Sequence, residues 1–293
     1  MLFLILAFIC SGTLILLFKV FERRGIPIFQ AIVFNYTTAA ICGFIFLPDH
    51  HEVLSGRFLT EAWLPLAIAL GMMFITVFNL TSVTTVRYGV STASVASKLG
   101  LIFPVILAFT LYHEAFSQLK LAGILFALLA VILSSIKQDA SAANSAGRHA
   151  VFLPYLVFIG NGACDSLTQF ANKHYLGKTG MEAFAFFLFA SAACSGWAIM
   201  ITQLLRGKMK IDVRSIWGGV VLGISNYLSY LFILYALSAV TWGSSVVFPV
   251  SNLGTVAFAT LISYLAFKER LSGTNMAGLA CALVAIILIV IAR

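Results

Sequence analysis

Ten apolar segments, each of membrane-crossing length, follow one another along this chain with only short connections between them. They cover residues 2–21, 27–47, 62–83, 90–112, 118–136, 151–176, 182–205, 214–237, 240–267 and 272–292. A helix needs about 20 residues to cross the hydrocarbon core of a bilayer. Ten such spans use most of the 293 residues and leave no stretch for a soluble domain. Runs such as LAGILFALLAVIL do not alternate, as the strands of a transmembrane β-barrel would. Charged residues make up 10% of the chain, against about 25% in soluble domains, so a large soluble core is excluded as well. The first segment lacks the basic start and the small-residue cleavage site of a signal peptide, and Leu2–Phe21 reads as a retained helix. Cys10, Cys42, Cys164, Cys194 and Cys281 all fall inside apolar segments without C-x-x-C spacing. That placement suits buried small hydrophobes better than disulfides or metal ligands.

The chain also repeats itself. Glu114–Leu133 returns 155 residues later as Glu269–Leu288, with nine of twenty positions identical. The shared residues include Glu114/Glu269, Ser117/Ser272 and the pairs Ala122-Gly123 and Ala277-Gly278. Aliphatic bias does not explain the Glu-x-x-Ser start or the Ala-Gly pair. An offset of 154 matches Trp63/Trp217, Phe78/Phe232, Gly89/Gly243 and Ser91/Ser245, and an offset of 153 matches Phe34/Phe187 and Gly43/Gly196. The join falls in the polar run Lys137–Ala150. The chain therefore divides into a five-helix repeat over 1–137, a linker over 138–150 and a second five-helix repeat over 151–293. Five spans per half is an odd number, so the second copy enters the membrane from the opposite side. The expected fold is all-α, with ten transmembrane helices as two inverted five-helix repeats (5+5) around a central cavity. Many secondary transporters build alternating access on this plan.

With its 5+5 duplication, a Glu after the fourth and ninth segments (His113-Glu114, Lys268-Glu269) and Ala-Gly early in the fifth and tenth, the chain resembles the drug/metabolite transporter superfamily in its EamA-like branch. The resemblance spans essentially the whole chain. Typical members carry Gly-Glu where this chain has His-Glu and Lys-Glu. The resemblance implies a cavity lined by helices one, three, four, six, eight and nine, with five and ten packed at the rear. It also implies cytoplasmic termini.

Polar residues gather away from those rear helices. Segment six carries Asn161, Asp165, Gln169 and Asn172 along one helical stripe, and segment four carries Ser91, Ser94 and Lys98. Asn226 and Tyr230 lie in segment eight, and Ser245 and Asn252 flank Pro249 in segment nine. Among the acids only Asp165 is well inside a segment, and among the bases only Lys98. A charge at the bilayer centre costs about 2.5–3.5 kcal/mol on insertion scales and usually faces a cavity or a partner. The pair reads either as a self-neutralising structural contact or as a site for a charged substrate or for protons. Asp165, Lys98, Asn161, Gln169, Ser94, Asn226, Tyr230, Ser245 and Asn252 are the candidate cavity residues, with Tyr227 and Trp242 as further aromatic candidates. Pro104 and Pro249 remove backbone donors within segments four and nine.

No D-D-x-x-D, H-E-x-x-H, G-x-S-x-G or Walker motif is present, so no catalytic residues, metal site or cofactor are expected. The missing nucleotide motif points to a proton or ion gradient as the energy source. The leading reading is a multi-pass secondary transporter of the cell (inner or plasma) membrane, exporting a small organic metabolite such as an amino acid. A passive channel is the second reading and a membrane-embedded enzyme the third. The expected partners are a small-molecule substrate and the lipid bilayer, without nucleic acid, and a homodimer is left open. Twelve Lys/Arg residues fall in the odd-numbered connections, and five in the even-numbered ones and the C-terminus. Because basic loops stay cytoplasmic, this count places both termini outside, opposite to what the resemblance implies.

Overall fold

The computed structural model describes residues 2–48, 50, 56–114, 117–135, 152–176, 180–239, 243–267 and 273–291, without the side chains of residues 57, 85–92, 94, 95, 134, 135, 239, 263, 267, 275 and 290. Among them are ten α-helices. They are α1 (Leu2–Arg24), α2 (Ile28–Ile45), α3 (Leu64–Leu99), α4 (Ile102–Thr110), α5 (Gln118–Ser135), α6 (Phe152–His174), α7 (Met181–Leu205), α8 (Val213–Ala239), α9 (Ser244–Phe267) and α10 (Gly273–Ile291). A short 3-10 turn over Arg57–Thr60 precedes α3. Six stretches of the described residues are long and apolar enough to cross a membrane: Leu2–Arg24, Ile28–Ile45, Leu64–Thr84, Met181–Leu205, Val213–Ser238 and Ser244–Ala266. Ala96–Thr110, Gln118–Leu133 and Met276–Ile289 are shorter apolar helices. The chain is a multi-pass membrane protein. α6 belongs to neither group, and it is the helix that carries the polar stripe.

Local chemistry sets the sharp turns. α1 stops where Gly25 takes φ 61°, a left-handed position that only glycine enters without cost. The Ile26 amide then closes back on the Phe21 carbonyl at 2.9 Å, a helix-ending pattern that satisfies an orphan carbonyl. Pro27 follows and starts α2. Gly207, at φ 65°, ends α7 in the same way, with the Lys208 amide on the Gln203 carbonyl at 3.0 Å.

One boundary differs from the sequence expectation. Segment three and the first part of segment four, up to Leu99, are a single run of helical hydrogen bonding, α3, and the break falls at Gly100–Leu101, inside segment four, rather than between residues 83 and 90. α3 is not straight, however. A Cβ placed on Gly160 of α6 would meet the Val77 side chain at 2.6 Å, and one placed on Gly100 would meet the Gly162 nitrogen at 2.8 Å. Residues 77 and 100 thus lie against the same turn of α6, whereas a straight helix would hold them about 35 Å apart. α3 therefore bends back between these two residues, and segment four comprises its last turns together with α4. Pro104 sits in the first turn of α4, where a missing amide costs nothing; Pro249 lies inside α9.

The principal packing pairs are α5 with α10, α2 with α7 and α8, α3 with α6 and α7, α1 with α8 and α9, and α4 with α6 and α9. Lipid is as apolar as a leucine side chain, so close backbone approach rather than hydrophobicity must hold such helices together. α5 and α10 show how this is done. Ala127, Ala130, Ala282 and Ala285 form one buried cluster with Leu253, and a Cβ on Gly123 would lie 2.6 Å from Ile289. α2, α3, α7 and α8 enclose a larger aromatic core, in which Tyr36, Phe184, Phe189 and Tyr227 are fully buried.

Hydrogen bonds between connections define two faces. On one, the buried Gln30 amide donates to the Lys210 carbonyl at 2.7 Å and accepts from the Asp212 amide at 2.9 Å. Arg214 there reaches the Arg24 carbonyl at 3.3 Å. The other face joins the α4–α5 connection to the end of α6 and the start of α9 through Glu114, as described below.

A candidate binding site at mid-depth and a carboxylate clamp at one face

Lys98 and Asn252 meet in the interior of the bundle. The Lys98 ammonium donates to Asn252 Oδ1 at 3.1 Å. Asp165 lies close enough for its charge to act on Lys98, but the two form no contact within 4.0 Å. No donor among the described residues hydrogen bonds to the Asp165 carboxylate. The two deep charges are neighbours rather than a closed ion pair. Lys98, Asn161, Asp165 and Asn252 each keep part of their surface accessible. Asn161 folds its amide back onto the Val157 carbonyl of its own helix at 2.9 Å, leaving its carbonyl oxygen free to accept.

Aromatic rings form the wall beside these groups. The Tyr230 hydroxyl lies 3.3 Å from Thr168 Oγ1, and its ring packs edge-on to Phe74 and Phe189. Tyr227 is fully buried with an unpartnered hydroxyl, as is Tyr36. Asn226 is 8% exposed and lies on α8 one turn before Tyr230. The Ser94 side chain and Trp242 lie outside the described residues.

Two candidates belong to a different arrangement. Ser245 is fully buried, and its hydroxyl and amide donate to Glu114 Oε2 at 2.6 and 3.1 Å. Ser244 gives Glu114 Oε1 a matching pair at 2.6 and 2.9 Å. Gln169 Nε2 donates to Ser244 Oγ, and the Gln169 carbonyl oxygen is buried without a partner. Lys173 approaches Glu114 at 3.5 Å and stands over the Tyr112 ring at 4.6 Å. One carboxylate thus takes both free amides and both hydroxyls at the start of α9, where the helix dipole favours negative charge. Sequence reading left Glu114 as a segment-end acid. Its repetition at Glu269 and the Gly-Ser-Ser start of α9 were the available signals of a helix cap. His113, which stands where the resembled family has glycine, takes φ 50°, in the left-handed region that glycine enters most cheaply.

Burial alone would raise the Glu114 carboxyl, but the hydrogen bonds from Ser244 and Ser245 outweigh it and hold the group below its ordinary range. A carboxylate lowered in the folded state stabilises fully above its unfolded value, about 4.3. That stabilisation is lost as pH falls through the lower folded value. The melting temperature of the detergent-solubilised protein is therefore expected to fall more steeply below about pH 4 than that of Glu114→Gln, with no difference in slope between pH 6 and 8. Parallel slopes for the two proteins across the acid range would remove Glu114 as the group responsible.

No cluster of His, Cys, Asp and Glu able to hold a metal occurs among the described residues. An apolar groove of about 380 Å³ between α2 and α7, lined by residues such as Ile41, Phe44 and Phe186, touches none of the polar candidates.

No family model matches the chain. A solved crystal structure superposes with a TM-score of 0.76 at 17% identity, covering 100% of this chain and 96% of that one, a likeness of fold alone. A protein from Haemophilus influenzae described as uncharacterized is 30% identical over 289 residues, spanning 97% of this chain and 95% of its own length. This chain belongs to the same family as that Haemophilus influenzae protein.

Proposed function

We propose that the protein is a secondary transporter of the EamA-like kind, an exporter that moves a small organic metabolite such as an amino acid by alternating access between two inverted five-helix repeats. The observation that carries this reading is Asp165 of the α6 stripe lying beside Lys98, with Lys98 bonded to Asn252, inside an otherwise apolar bundle. Charges kept at such depth are costly and mark substrate or ion paths.

The contacts support the inverted arrangement. Exchanging each helix with the one five places later turns α2–α8 into α7–α3, α1–α8 into α6–α3 and α1–α9 into α6–α4, and all of these pairs pack together. Single residues repeat the pattern at the offset of 154. Gly100 approaches Gly162, and its mate Gly254 approaches Phe8, the mate of Gly162. Lys98 and Asn252 are 154 residues apart and bonded to each other, as residues on a two-fold axis would be.

Counterflow in proteoliposomes tests the function. Preloaded unlabelled metabolite should drive transient accumulation of its labelled form. Labelled substrate that merely equilibrates would favour the channel, and metabolite-independent chemistry on a lipid or peptide would favour an enzyme. The carrier draws on a proton or ion gradient, so collapsing that gradient should abolish net uphill movement and spare exchange.

Orientation follows from charge. Arg24, Lys210 and Arg214 gather on one face, and basic connections stay cytoplasmic; we place that face inside and both termini outside. A cysteine introduced at Lys208 should resist an impermeant thiol reagent in intact cells. Strong labelling from outside, with a C-terminal reporter active only in the cytoplasm, would restore the orientation that the resemblance implies.

A further inference from the structure

We infer that the Glu114 clamp is the closed gate of the face that carries the α4–α5, α6–α7 and α8–α9 connections; this rests on the alternating-access reading above. The clamp joins the two halves, since Glu114 follows α4 whereas Ser244, Ser245, Gln169 and Lys173 belong to the second half. It also excludes water. Ser244, Ser245 and Gln169 are at most 2% exposed, and the Glu114 side chain is 9% exposed. Lys98, Asn161, Asp165 and Asn252, deeper in the bundle, all remain partly accessible. The accessible space at mid-depth is thus not reached through this end.

The same bonds give the gate a link to the site. Gln169 lies one helical turn beyond Asp165 on the α6 stripe and holds Ser244, which holds Glu114. A displacement of α6 on loading the site would pull on Ser244 directly. Once Glu114 lets go, the start of α9 has unsatisfied amides that water can solvate only if that end opens. The unpartnered Gln169 oxygen is a ready acceptor for a donor arriving from the site.

The test uses full-length protein in proteoliposomes, with the five native cysteines replaced by alanine and a single cysteine at Asn161, on the stripe. A parallel sample with its cysteine at Lys208 reports which face is outward. With the clamp intact, Cys-reactive impermeant reagent should modify position 161 faster from the Lys208 face than from the clamp face. Glu114→Ala should raise the clamp-face rate about fivefold or more and lower the rate from the other face. Glu114→Gln, which keeps an acceptor oxygen and loses the charge, should fall between the two and guards against a variant that fails to fold. Unchanged rates from both faces, or equal increases at both, would overturn the gate. No modification from either face in any variant would overturn the central path itself, and the gate with it.

Discussion

Asp165→Asn is expected to reduce counterflow about hundredfold or more, with yield and elution profile close to those of the parent protein. The carboxylate is partly accessible and receives no hydrogen bond from the described residues, so asparagine of the same shape leaves no new donor unsatisfied at its neighbours. Lys98→Met should have the same effect on transport but a larger one on stability. It strips Asn252 Oδ1 of its donor, and a hydrogen bond from a charged group contributes about 1.5–3 kcal/mol. The double variant separates the two readings of the pair. A mutually neutralising contact would recover in Asp165→Asn/Lys98→Met, because the uncompensated charge is the costly state. The geometry argues against recovery, since Lys98 is bonded to Asn252 rather than to Asp165. The double variant is expected to stay inactive; recovered counterflow would make the pair structural.

The second large effect concerns folding. A Cβ on Gly71 would lie 1.9 Å from Ser191 Oγ, 2.1 Å from the Leu188 carbonyl and 3.0 Å from the Ala192 nitrogen. Two of these three atoms are backbone and cannot rotate away. Ser191 is itself fixed by its bonds to the Ile68 and Leu188 carbonyls at 3.1 and 3.0 Å. Gly71→Ala must therefore push α3 from α7. Overpacking of this sort costs about 1–3 kcal/mol, occasionally more, and exceeds the gain of about 1 kcal/mol that alanine brings to a helix interior. A lowered melting temperature and a loss of monodisperse protein on size exclusion are expected. Gly273→Ala is the matched control, because nothing lies within 4 Å of its added carbon, and it should be neutral. Equal behaviour of the two variants would show that α3 and α7 do not meet at Gly71.

The helices were largely legible in advance because hydropathy reports what must leave water, and the α6 stripe was legible because polar residues at helical spacing in such a segment are expensive. Segment three was legible as a span, but not the helical hydrogen bonding that carries it on to Leu99 and divides segment four at Gly100. Gly89 lies between the two segments and Gly100 ends α3, and a glycine alone does not tell which of two such positions interrupts the helical hydrogen bonding. Ser245 was assigned to the cavity on its polarity, and the structure gives it to Glu114. Pattern reading sees that a hydroxyl is costly in a membrane, but not which partner, 131 residues away, offsets that cost. His113 shows the converse. It replaces the glycine of the Gly-Glu pair in the resembled family, and it is the one non-glycine residue with positive φ among those described.

The bond between Lys98 and Asn252 bears on what the proposed exchange between two halves related by a two-fold axis would leave unchanged. When two halves trade conformations about an axis, points on the axis stay at the same depth while everything beside them swings. In the transporter proposed above, a cation there would not travel with the cargo; it would be a stationary post around which the passage reverses. Because Lys98 bonds to an uncharged asparagine, such a post would carry a single positive charge seen from both sides, and cargo entering from either side would meet the same electrostatic landmark halfway.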